Sequence, residues 1–151
     1  MRIHKGKMVL GEGEDAMLLS ASANTFSIKQ NDDVLMAVSK DEDSNTTIVV
    51  TVQLVSGSNK YHLDNQDRPT ISLNIGQTYT FDISDSSLGI HPFKLSTTQD
   101  GIHGTGGTLY TDSSVTYGTN SVTIVVSATT PTPLYYYCGV HPGMGGQINV
   151  I

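Results

Sequence analysis

Tyr135-Tyr136-Tyr137-Cys138-Gly139-Val140-His141-Pro142-Gly143-Met144-Gly145-Gly146 carries most of the information in this chain. Its first residues alternate. Leu134, Tyr136 and Cys138 fall on one face of a strand, with Tyr135 and Tyr137 on the other. Tyr135 and Tyr137 are read as packing a second layer, with an aromatic contact patch for a partner as the alternative. Gly139 and Pro142-Gly143 then force a loop, and Gly145-Gly146 closes it before a last strand holding Ile148 and Val150. The loop brings a thiol, an imidazole and a thioether within seven residues. Soft sulfur donors with imidazole select copper, and two His, one Cys and a weak axial Met form the blue-copper geometry. Such a set needs a second histidine from elsewhere in the chain.

Working upstream, other short strands appear at regular spacing. Ile71, Leu73 and Ile75 alternate with polar neighbours, as do Tyr79, Phe81 and Ile83, and Val122, Ile124 and Val126. Asp85-Ser86-Ser87 opens a loop that ends at Ile90-His91-Pro92, and the stretch from Asp100 to Gly107 is glycine-rich loop. With no helical period among them, these strands predict an all-β sandwich or barrel. Ile71, Leu73, Phe81, Ile124 and Val126 are its expected core. His91 follows the Tyr79–Ile83 strand, so its loop can lie at the same end of a sandwich as the 138–144 loop and supply the missing histidine.

In residue type, order and spacing, His91, Cys138, His141 and Met144 resemble the ligand pattern of the cupredoxins. The short Cys-x-x-His-x-x-Met loop is most similar to that of the amicyanin type. The resemblance covers residues 57–151. It implies a Greek-key β-sandwich of cupredoxin type and a copper ion held by those four residues. A narrower resemblance, carried by His91-Pro92-Phe93-Lys94-Leu95-Ser96-Thr97-Thr98, Gly101-Ile102-His103-Gly104 and the 134–146 stretch, is to cupredoxin-like modules in structural proteins of marine and cyanobacterial tailed phages. It implies a virion protein, a capsid decoration or tail component, assembled in the host cytoplasm with other virion proteins or identical subunits. The alternative is a soluble mononuclear blue-copper protein that carries single electrons, periplasmic or extracellular after loss of a leader.

Composition fits both readings and excludes others. The chain has 151 residues and only 15% charged residues, against about 25% in an average domain. Ser, Thr, Gly and Asn make up the difference, a β-rich composition. Net charge is −6, and residues 57–151 hold only Lys60, Arg68 and Lys94 as bases, which excludes a nucleic-acid surface there. One cysteine excludes an internal disulfide. There is no apolar run long enough to span a membrane, and Met1 to Leu10 lacks the apolar core of a signal peptide. No hydrolase motif is present, and Cys138 and His141 are too close in sequence for a thiol protease, so no enzymatic activity is expected.

Residues 1–56 differ in texture, with eight acids and five bases. Ala16 to Leu19, Thr25 to Ile28, Val34 to Val38 and Ile48 to Val55 are candidate strands. The segment is expected to be a β-rich docking unit ending at the turn Ser56-Gly57-Ser58-Asn59. Its apolar residues Met17, Leu18, Leu19, Phe26, Val34, Leu35 and Met36 would then complete their core on a neighbouring subunit. Asp41-Glu42-Asp43 reads as a solvated turn. His103 is a candidate extra ligand, more simply an exposed loop residue, and His4 and His62 read as surface.

Overall fold

The computed structural model describes residues 45–151 in full and, before them, the backbone of five strands: β1 (Arg2–His4), β2 (Lys7–Leu10), β3 (Met17–Ser22), β4 (Thr25–Gln30) and β5 (Asp33–Ser39). These five form an antiparallel sheet in sequence order, each strand paired with the next. Three of the four strands expected before residue 57 are β3, β4 and β5, and β1 and β2 are additional. The Asp41-Glu42-Asp43 turn lies outside the described residues, as do the side chains of His4 and of the apolar residues assigned to docking.

The division of the chain differs from the sequence reading. Its two compact units are Met1–Glu42 and Asp43–Ile151, so the boundary lies well before residue 56. The reason is the strand β6 (Asn45–Val55). Its first half pairs in parallel with β10 (Thr78–Asp82), and its second half pairs antiparallel with β7 (Ser58–Leu63). Ser56-Gly57 is the tip of that β6–β7 hairpin, with both residues at positive φ (48° and 81°), and not a linker. Turn chemistry marks a hairpin and a boundary alike, and the sequence alone does not separate them.

The second unit is the expected all-β Greek-key sandwich. The remaining strands are β8 (Gln66–Asp67), β9 (Ile71–Leu73), β11 (Phe93–Ser96), β12 (Val115–Tyr117), β13 (Ser121–Val125), β14 (Leu134–Cys138) and β15 (Gly146–Val150). One sheet runs β12-β13-β10-β6-β7-β8 and the other β11-β14-β15-β9. The chain crosses between them after β8, β9, β10, β11 and β13. Alternating side chains from both sheets meet in one core: Val50, Phe81, Val122 and Ile124 from the first, Leu73, Phe93, Leu95, Leu134, Tyr136 and Ile148 from the second. Phe93 is its aromatic centre. It stacks on Tyr136 at 5.6 Å, meets Tyr61 edge-on at 5.2 Å and lies 5.0 Å from Phe81.

Leu73, Phe81, Ile124 and Val126 are buried as expected, and Ile71 packs at the edge of the core. Ile75 is exposed, because the chain turns at Gly76 (φ +87°) and β9 has already ended.

Candidate metal centre

Three chain segments carry the donors to one end of the sandwich. β14 ends at Cys138, which pairs with Phe93 at the start of β11. His91 lies two residues before Phe93, so the β11–β14 register places it beside Cys138. The link is extended by Gly139, whose N–H donates to the Pro92 carbonyl at 2.9 Å. His141 comes from the loop that follows β14. The loop can fold back because Gly145 lacks a side chain: a Cβ there would sit 1.7 Å from the Tyr136 carbonyl oxygen.

The outcome is a compact donor set. Cys138 Sγ lies 3.8 Å from His91 Nδ1 and 3.7 Å from His141 Nδ1, and the three ligand atoms lie within 4.8 Å of one another. The two imidazole centroids are 4.7 Å apart. Cys138 is fully buried, His91 is 4% exposed, and His141 is half-buried. Met144, the expected fourth ligand, is buried at the end of the same loop in the core cluster that holds Cys138.

The site's chemistry fits a copper ion. Both histidines turn the same nitrogen, Nδ1, toward the sulfur. Backbone N–H groups of Val140 and His141 point at Sγ at 3.5 and 3.4 Å, the solvation a thiolate takes when water is excluded. His91 is held below the usual histidine range, first by burial and then by the neighbouring His141, so its ring is kept neutral and able to coordinate. His91 Nε2 faces the Asn59 side-chain amide at 3.3 Å. The amide atom placed there is Nδ2; a histidine that coordinates through Nδ1 carries its proton on Nε2, so turning the amide over to present its oxygen gives that proton an acceptor.

A supporting strand went unread in the sequence. Consecutive residues of β7 reach both ligand loops. Asn59 meets the His91 ring, Lys60 Nζ donates to the Gly143 carbonyl at 2.5 Å, and Tyr61 N–H donates to the Met144 carbonyl at 3.0 Å. The buried Tyr61 hydroxyl donates to the His91 carbonyl at 2.8 Å. Burial, with the nearby Cys138 adding to it, pushes the acidity of this phenol far out of reach, so it stays a donor. The only signal in the sequence was an Asn-Lys-Tyr run directly after a turn, which is too common to single out.

Of two other histidines, His103 matches its simpler reading as an exposed loop residue, and His62 departs from its reading as surface. His103 is exposed and stands outside the donor set. Its Nε2 lies 2.9 Å from the Cys138 carbonyl, and its ring meets Tyr137 edge-on at 6.3 Å. His62 is buried, not superficial, because the alternation of β7 fails at Tyr61-His62-Leu63, where all three residues are covered. Tyr137 packs, fully covered, against the Gly101–His103 turn, while Tyr135 is half-buried.

No family model matches the chain, and no curated protein matches it. Solved structures that align with it include reduced rusticyanin, at 20% identity over 71% of this chain and 79% of that one, with a TM-score of 0.43. Two further structures of substituted rusticyanin also align, each over 83% of this chain and 86% of the other. One is at 16% identity with a TM-score of 0.47, the other at 18% with 0.42. Independently of these alignments, residues 43–151 form a two-sheet β-sandwich whose His91, Cys138 and His141 ligand atoms converge within 4.8 Å of one another.

Proposed function

We propose that this domain binds one copper ion through His91, Cys138 and His141, with Met144 as a weaker fourth ligand, and carries single electrons without being an enzyme. The observation behind it is the convergence of one thiol and two like-oriented imidazoles within 4.8 Å in a largely buried site. A copper ion there supplies a Cu(II)/Cu(I) couple. The protein's part is to keep the donors in place whichever charge the centre holds. Burial of Cys138 and His91 excludes water, and the Tyr61 and Gly139 bonds tie the His91 segment to the sandwich. The half-buried His141 ring, beside exposed Val140 and Pro142, offers the donor set's approach to a partner.

A purified chain loaded with Cu(II) should develop an intense visible band that bleaches with ascorbate and returns on reoxidation, over repeated cycles. Loss of the metal in the reduced form, or a colourless Cu(II) form, overturns the carrier reading.

The virion role remains a second reading. It is favoured by the separate unit Met1–Glu42, which a single-electron carrier does not need. In that reading the five-stranded sheet docks on other virion proteins or on identical subunits, and co-sedimentation of the chain with purified particles tests it.

A further inference from the structure

The ligand loop between His141 and Met144 has little stiffness of its own. Of the four residues between His141 and β15, Gly143 and Gly145 are glycines, and Gly143 sits at φ +70°. Yet Gly143 is held at both its N–H and its C=O, in two successive peptide groups, by charged side chains from distant segments. Both Asp100 carboxylate oxygens accept from its N–H, each at 2.9 Å. Lys60 Nζ donates to its carbonyl from the opposite side, at 2.5 Å. Charge-assisted bonds of this kind are stronger than neutral ones, and here they fix the two successive peptide groups on either side of the Gly143 Cα. Asp100 holds its place at φ +58°, a left-handed conformation uncommon outside glycine, just before the Gly101–His103 turn. The next carbonyl, that of Met144, is fixed by Tyr61 N–H. Isolated exposed charges contribute little to stability, so the place of these two points to the loop's geometry.

We propose that Lys60 and Asp100 are positioning residues, which clamp the two peptide groups flanking Gly143 and so set where Met144 stands relative to His91, Cys138 and His141. This rests on the copper reading above. Axial-ligand placement tunes the reduction potential of such a centre, so the clamp would act on potential and metal retention more than on folding.

The test uses the full chain with Lys60→Met and Asp100→Gly, the latter chosen because glycine keeps the left-handed backbone without strain. Lys60→Arg and Asp100→Asn serve as conservative counterparts. In metal-free protein, exchange of the Gly143 amide proton should accelerate about tenfold in Asp100→Gly. In Cu(II)-loaded protein, Lys60→Met and Asp100→Gly should each release copper to a chelator about tenfold faster, while the conservative variants stay within about twofold of the parent. The two disruptive variants should also shift the reduction potential. A chain that loads copper but shows parental release and potential in both disruptive variants overturns the clamp alone. A chain that takes up no copper, with Gly143 exchange still dependent on Asp100, overturns the copper reading and with it the role assigned to the clamp.

Discussion

Replacing Tyr61 by Phe isolates one bond between the sandwich core and the ligand end. The ring is fully buried and would keep its contacts with Phe93 at 5.2 Å and Tyr136 at 6.5 Å. Only the hydroxyl that donates to the His91 carbonyl at 2.8 Å is removed. A buried hydrogen bond contributes about 0.5–1.5 kcal/mol net, and a carbonyl left without a donor costs about 1–3 kcal/mol. The carbonyl cannot turn to solvent freely, because the adjacent Pro92 is tied to Gly139 and Phe93 to Cys138. The expected destabilisation is therefore about 1–3 kcal/mol, nearer 2 if no water enters. Urea unfolding of metal-free protein, followed by tyrosine fluorescence, measures it. All seven tyrosines lie between Tyr61 and Tyr137 and there is no tryptophan, so the signal reports the sandwich alone. The midpoint should fall at unchanged slope. A change below about 0.3 kcal/mol, inside ordinary surface variation, would refute the claim that this hydroxyl anchors the His91 segment.

Gly145→Ala should be among the most damaging single changes in the domain, costing about 3 kcal/mol or more, since its Cβ would meet the Tyr136 carbonyl oxygen at 1.7 Å. Thermal unfolding checks it, and a near-parental midpoint would show that the loop is not closed against β14. Deleting residues 1–42 should leave a folded sandwich with the full donor set, whereas deleting 1–56 should leave none, because the second cut removes β6 from between β10 and β7. Far-ultraviolet circular dichroism of the two truncations distinguishes them. Metal-free stability should also depend on pH through His91, whose folded value lies below the ordinary histidine value of 6.5. The unfolded chain then binds the proton first, so this contribution is whole above 6.5 and is lost as pH falls through that value toward the folded one. The slope between pH 7 and pH 5 should flatten in His91→Gln. Asp82, Asp85 and Asp112, each lowered by the serine two residues on, act only in the lower carboxylate range.

Much of the site was legible because its donors are chemically rare and ordered. Cys138, His141 and Met144 share one loop, and only His91 had to be matched across a strand. The strands that alternate cleanly, such as Val122 to Val126 and Leu134 to Cys138, were legible for the same periodic reason. What escaped notice was carried by pairing. β6 belongs to the sandwich because Asn45–Val49 lies parallel to Thr78–Asp82, and parallel register leaves no local trace. Asn59, Lys60 and Tyr61 matter through contacts with residues about 30 and 80 positions away, which one sequence does not reveal. His62 was misjudged because β7 is covered on both faces at its end, where the alternation rule no longer applies.

X-ray absorption at the copper edge tests the central claim most directly. Cu(II) titrated into the metal-free chain should saturate at one ion, with a coordination shell of two nitrogens and one short sulfur. That sulfur should vanish in Cys138→Ser, and one nitrogen should be lost in His91→Gln. A shell of nitrogen and oxygen only, unchanged by Cys138→Ser, would contradict it.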